Sequence, residues 1–196
     1  MTQDKVRVKQ KQYDRVFSDP KSYPYKHFQY IIDTLKEYNF NSLLEVGCGK
    51  GRKLRLIRNN FDVKVLKGID LSPVGVEVAK KHNLDVVVGS ADNLPFSNNE
   101  FDIIITHHSL EQMKYIIEDV VKELYRVTKK YVISFEPCFE LQNIFGKIHN
   151  FTHDYVKGLP FIFEKHGFEV QKFTNLKKGI MTNRTCLIIS KKFNKK

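Results

Sequence analysis

The run Leu43-Leu44-Glu45-Val46-Gly47-Cys48-Gly49-Lys50-Gly51 constrains this chain more than any other segment. It ends an apolar stretch with an acid, then sets glycines at alternate positions just ahead of a helical pattern carried by Leu54 and Ile57. Glycine at every second position strips the side chains from a strand-to-helix turn, so a flat ligand can lie against bare backbone. Asp70 ends the next apolar strand, 19 residues past Gly51. A carboxylate in that place accepts hydrogen bonds from both hydroxyls of a ribose. Together the two features predict a nucleoside-containing cofactor.

Strand and helix signals alternate along the rest of the chain. Phe28, Ile31, Ile32 and Leu35 recur at helical spacing after a basic, Tyr-bearing leader. Leu43–Gly47 reads as a strand, Gly51–Asn59 as a helix and Val65–Asp70 as a strand. Ser72-Pro73 supplies an N-cap and a proline at the first helical position, opening a helix towards His82. Asp85–Val88 and Phe101–Thr106 are short apolar runs of the buried parallel type. Met113, Ile116, Ile117, Val120, Val121 and Leu124 trace one face of a long helix, and Tyr131–Phe135 is a fifth strand. Such alternation predicts a parallel sheet with helices on both faces and ligands at the carboxyl ends of the strands. Towards the end, Phe161–His166 is a short helix stopped by Gly167, and Phe168–Phe173 a strand. A loop with Gly179 and a second strand, Arg184–Ser190, follow. Two consecutive strands without a helix imply an antiparallel pair.

The third glycine separates two cofactor classes. A dinucleotide fingerprint, G-x-G-x-x-G, would need glycine at the position of Arg52. The chain reads G-x-G-x-G instead, with Glu45 two residues ahead of the first glycine, and it closes on an antiparallel pair. In both respects it resembles the class I S-adenosylmethionine (SAM)-dependent methyltransferases, from about Tyr13 to Ile189. Gly89-Ser90-Ala91-Asp92-Asn93-Leu94-Pro95-Phe96 is similar to that family's loop after the third strand, with Ser90 in place of a frequent aspartate. Phe101-Asp102-Ile103-Ile104-Ile105, Leu110-Glu111-Gln112-Met113 and the Arg126-Val127 helix end are similar to further family segments.

The resemblance implies an α/β fold, a single Rossmann-like doubly wound seven-stranded mixed sheet with a C-terminal antiparallel strand. It implies one domain over residues 1–196: residues 1–40 as N-terminal lid and helix, 41–137 as the cofactor-binding half, 138–196 as the acceptor-side half. By the same analogy Glu45, Gly47, Cys48, Gly49 and Gly51 line the methionine and ribose parts of SAM. Asp70 takes the ribose hydroxyls, Leu71 lies against the adenine, and Ala91 and Asp92 sit at its edge. Tyr13 is either a lid residue over the cofactor or a surface aromatic. Asp70→Ala is expected to abolish cofactor binding and leave the fold intact.

Methyl transfer is an in-line displacement, so holding the acceptor collinear and excluding water are the protein's main tasks. A hydroxyl acceptor also needs a base, and His is suited by its pKa. His107 and His108 follow the fourth strand; alternation suggests that one of them faces the pocket, His107 being favoured. Glu136, at the tip of the fifth strand, is the other candidate base. His149 and His153 either line the acceptor pocket or lie on the surface. The fourth strand is followed by Thr106-His107-His108-Ser109, neither the N-P-P-Y type of base-amine methylation nor a Pro-Cys pair. A small-molecule or glycan acceptor, methylated on O or N, is therefore expected, the alternatives being an RNA methyltransferase that uses its basic termini or a non-catalytic SAM-fold partner subunit.

Composition bears on partners. The chain carries a formal charge of +11, and residues 165–196 hold nine Lys or Arg against one acid, Glu169, for a net of +8. The excess is either a solvated surface or an attraction for an anionic acceptor, RNA among them. No apolar run reaches the ~20 residues of a membrane span. The charged start, Met1 to Arg7, lacks a signal-peptide core, so a cytoplasmic protein is expected. Cys48, Cys138 and Cys186 are too scattered for a disulfide framework or zinc site, and no metal is expected.

Overall fold

The computed structural model describes residues 2–18, 28–176 and 185–193. The Tyr-bearing stretch 19–27, Gly179, Arg184 and the last lysines, Lys195 and Lys196, lie outside the described residues. The elements run α1 (Thr2–Ser18), α2 (Gln29–Leu35), β1 (Ser42–Val46), α3 (Arg52–Asn60), β2 (Val65–Asp70), α4 (Pro73–Lys80) and β3 (Asp85–Val88). Then come β4 (Phe101–His107), α5 (Ile117–Val127), β5 (Thr128–Glu136), α6 (Ile144–Thr152), α7 (Leu159–Lys165), β6 (Phe168–Asn175) and β7 (Cys186–Lys192). The seven strands form one mixed sheet in the order β3-β2-β1-β4-β5-β7-β6.

The chain divides into two compact units, Met1–Ala91 and Asp92–Lys196. In the first, β1 pairs in parallel with β2, and β2 with β3, which aligns Glu45 with Gly68 and Asp70 with Val88. Leu43, Leu44 and Ile69 are buried there, as expected of strands covered on both faces. Ser72 opens α4 as anticipated, its hydroxyl accepting from the Gly75 amide at 3.1 Å.

In the second unit β4 and β5 are parallel. β7 is antiparallel to both β5 and β6, so it is inserted between two strands that precede it in the chain. Val120, Val121 and Leu124 of α5 are fully buried, an apolar stripe on the sheet. The expected helix from Met113 starts later. Leu110–Gln112 is a single 3-10 turn, and α5 begins at Ile117, with Glu118 and Asp119 in its first turn favouring the positive end of its dipole.

Two helices were not anticipated. α1 occupies what read as a leader, and α6 occupies part of the segment after β5 that carries no motif.

Candidate functional site

In Met1–Ala91 the carboxyl ends of β1 and β2 meet at the glycine turn. Gly47, Gly49 and Gly51 all have positive φ, from +51° to +77°. At Gly51, the N-cap of α3, a Cβ would lie 2.3 Å from Leu84 Cδ1 and 3.0 Å from Ala79 Cβ, so only glycine lets α3 start so close to α4. The amides of Gly47 and Cys48 both donate to the Ile69 carbonyl. Cys48 turns its thiol inward, where a Cβ on Gly68 would be 2.9 Å from its Sγ, and burial pushes the thiol pKa well up. Its side chain packs the turn from behind.

Asp70 joins the two strand ends. Its Oδ2 accepts from the Gly49 amide at 2.7 Å and its Oδ1 from the Ser72 amide at 2.9 Å. Burial raises the carboxyl pKa, and the two amide bonds oppose the rise. A carboxylate has about four lone-pair sites, so each oxygen retains acceptor capacity for a hydroxyl. Glu45 is fully buried and 2.8 Å from Lys53 Nζ; desolvation raises its pKa against the pull of that ammonium. The acid ahead of the glycines thus already has a cation beside it. Leu71 is half-buried, Ala91 buried and Asp92 partly exposed.

The cover over the glycine turn comes from α1. The Phe17 ring would be 2.9 Å from a Cβ on Gly49 and 2.9 Å from one on Gly75. Tyr13 stacks on Phe17, with ring centroids 6.1 Å apart, and Ser72 donates its hydroxyl proton to Asp14 at 2.5 Å. Phe17 and Asp14 escaped the sequence analysis; the i, i+4 spacing of Tyr13 and Phe17, free of Gly and Pro, was the signal available.

The second cluster lies at the ends of β4 and β5 in Asp92–Lys196. Glu136 is fully buried and accepts from the Ser109 amide at 3.0 Å and the Glu111 amide at 3.4 Å. Burial, followed by the neighbouring Glu111, pushes its carboxyl up to about 7, while His108, Thr106 and Ser109 favour ionisation. His108 Nδ1 is 3.4 Å from Glu111 Oε2, and its Nε2 is 2.8 Å from Thr185 Oγ1. The expected separation of His107 from His108 does not occur. His108 takes a left-handed φ of +50°, which breaks strand alternation and leaves the two rings 4.7 Å apart. Glu111, the third member of this cluster, was missed as a site residue because it stands off the strand ends, in a 3-10 turn.

Arg126 and Glu123 explain the Arg-Val helix end. Arg126 donates to both Glu123 oxygens at 2.7 Å and to the carbonyls of Leu94 and Phe96 at 2.9 and 2.7 Å. Glu123 in turn accepts from the Leu94 amide at 2.8 Å. The pair clasps the loop after Asp92. The His149 and His153 rings lie tilted with centroids 4.0 Å apart near Tyr155, and His149 is within electrostatic reach of Glu111. Among the described residues, no group of three His, Cys, Asp or Glu is placed to hold a metal ion. No helix among the described residues is long and apolar enough to cross a membrane.

A mixed sheet closed by an inserted antiparallel strand, with a glycine turn and a strand-end carboxylate, defines a class I methyltransferase type of nucleoside-cofactor domain. Residues 44–133, just under half of the chain, match the family model described as "Methyltransferase domain". It is 32% identical over 89 residues to the phthiotriol/phenolphthiotriol dimycocerosates methyltransferase of Mycobacterium leprae, covering 42% of this chain and 33% of that one. The match thus spans about a third of the length of such curated relatives. Among solved structures, a methyltransferase in complex with the Haloferax volcanii Trm112 methyltransferase activator superposes with a TM-score of 0.74. It is 17% identical, over 91% of this chain and 96% of that one. A SAM-dependent methyltransferase from Methanosarcina mazei gives 0.64 at 18% identity, over 84% and 98% of the two chains. These likenesses concern the fold.

Proposed function

We propose that the chain is an enzyme that binds SAM at the glycine turn and transfers its methyl group to an O or N atom of a small-molecule or glycan acceptor, leaving S-adenosylhomocysteine. The observation that carries this reading is the placement of Asp70, whose two oxygens are each held by one amide beside three positive-φ glycines. In that reading Asp70 receives the ribose hydroxyls and Gly47, Gly49 and Gly51 present bare backbone. Leu71, Ala91 and Asp92 serve the adenine, and Glu45 with Lys53 stands at the methionine end. Cys48 contributes through backbone and packing. Tyr13 and Phe17 form the lid, α1 being the N-terminal cover. When bound, the cofactor supplies a methyl group already activated on a sulfonium.

On the acceptor side His108 is the proton-accepting group, because its ring is the partly exposed member of the cluster. Glu111 orients that ring, and Glu136 pins the turn that carries both, a base held by a second group. His107 lines the same end of β4. The basic composition supports an anionic acceptor. A second acceptor class, an apolar lipid, is favoured by the curated relative's action on phthiotriol dimycocerosates. RNA is the third, and it predicts binding that weakens steeply with salt.

Calorimetric titration with SAM, S-adenosylhomocysteine and NAD tests the cofactor. Binding of the first two and not of NAD supports the reading; binding of NAD alone, or of none, overturns it.

A further inference from the structure

The helix α6 turns its pattern inside out. Gly146 and Asn150, one turn apart, are its buried residues, and Asn143 caps it by accepting from the Gly146 amide at 2.8 Å. A Cβ on Gly146 would lie 2.5 Å from Gln142 Oε1 and 2.9 Å from Gln142 Cβ, so α6 packs closely against Gln142 at that position. The outer face carries Ile144, Phe145, Ile148 and Phe151, which are 65%, 59%, 55% and 71% exposed. At 100° per residue these four fall within one stripe, opposite Gly146 and Asn150. A soluble helix buries such a stripe and shows its polar residues to water; this one does the reverse.

The surroundings indicate what covers it. α6 contains no Asp or Glu. Lys157 Nζ lies 4.6 Å from the Phe139 ring and 5.1 Å from the Phe151 ring, and Lys147 Nζ is 5.5 Å from Phe139. The nearby acids have partners of their own: Asp154 binds Lys114 and Tyr115, and Glu140 accepts from the Gly158 amide. Apolar side chains flanked by ammonium groups on a chain of net charge +11 are complementary to a surface that is greasy below and negative above. The size of the face points the same way. Nine residues make a cylinder about 13 Å long and about 10 Å wide, far short of the ~800 Å² per partner of a standard protein interface. A bilayer needs no such area, because a helix of this kind sinks its apolar side to the level of the acyl chains while lysines meet the headgroups.

We propose that α6 docks the protein onto an anionic lipid bilayer, lying in the plane of the surface. This does not rest on methyl transfer and is measured without SAM.

The chain has no tryptophan, so Phe151→Trp introduces a single reporter on the outer face. With phosphatidylcholine vesicles containing phosphatidylglycerol, its emission is expected to shift to the blue and the protein to float with the vesicles. Phosphatidylcholine alone, or high salt, should weaken both. Replacing Phe145 and Ile148 by Asp is expected to lower partitioning on the order of tenfold per side chain. Lys147→Glu and Lys157→Glu should each lower it about fivefold or more. Circular dichroism checks that each variant is folded, and the lysine variants decide should the Asp variants fail that check. An unmoved emission on phosphatidylglycerol vesicles overturns the proposal. So does vesicle binding that survives all four substitutions, or a concentration-dependent dimer in sedimentation that Ile148→Asp dissolves.

Discussion

The Gly49 amide donates to Asp70 Oδ2 at 2.7 Å, so the carboxylate that ends β2 also holds the middle of the turn that ends β1. On the proposed reading, ribose binding and turn stability therefore share one side chain.

Asp70→Ala follows from that. The substitution is expected to abolish SAM binding, and also to leave the Gly49 and Ser72 amides without their acceptor, at about 1–3 kcal/mol per orphaned buried group. To the expectation of an intact fold the two amide bonds thus add a cost in stability. Calorimetry with SAM and thermal denaturation followed by circular dichroism measure the two losses separately. An unchanged melting temperature would show that the turn stands without Asp70.

Arg126 is expected to tolerate neither Ala nor Lys, since no ammonium spans Glu123 and two carbonyls at once. Either change should cost about 1–3 kcal/mol. The Arg126 guanidinium holds the Glu123 carboxyl below its ordinary pKa. The clasp therefore contributes fully above the unfolded carboxylate pKa and is lost as pH falls through the folded one. Urea denaturation of wild type and R126K between neutral and acid pH should converge at the acid end.

Glu136 behaves in the opposite sense. Its carboxyl is pushed up to about 7 in the folded protein from an ordinary 4.5, so the folded state holds the proton more tightly than the unfolded one. Its contribution is fully present below the unfolded pKa and is lost as pH rises through about 7. The loss by pH 8 is on the order of 3 kcal/mol at 1.36 kcal/mol per pKa step. Glu136→Gln should flatten that part of the stability profile, and a Gln variant with the wild-type slope would assign the titration elsewhere.

Gly51 and Gly158 offer a matched pair. Both have φ near +70°, but a Cβ at Gly158 meets nothing within 4 Å, whereas at Gly51 it meets Leu84 and Ala79. Gly158→Ala is expected to cost only the left-handed strain, about 1–2 kcal/mol. Gly51→Ala should cost that plus about 1–3 kcal/mol of overpacking. Equal losses in a denaturant titration would mean that Leu84 moves aside freely.

The sheet was legible because its central strands are written as apolar runs, and even Val65–Asp70 and Asp85–Val88, which are only partly buried, have the same bounds in the sequence analysis and in the structure. The antiparallel ending was legible from two strand runs with no helix between them. The partners of the site carboxylates were not. That Asp70 accepts from the Gly49 amide depends on the fold, while the approach of Glu111 to His108, only three residues apart, accompanies a left-handed φ at His108 that no motif announces. α1 was hidden because its 17 residues are mostly charged or amide side chains, which leaves the Tyr13 and Phe17 pair as a short apolar signal. α6 was hidden for the opposite reason: its stripe is plain, but faces outward.

The insertion of β7 between β5 and β6 sets an order on assembly. On a ribosome β6 emerges first, yet its hydrogen-bonding neighbour in the sheet is β7, made later. Until residues 186–192 appear, β5 presents a bare edge and β6 has nowhere to attach. The second unit therefore completes itself only after its last strand has been synthesised, and a nascent chain halted earlier would carry an open sheet edge into the cell.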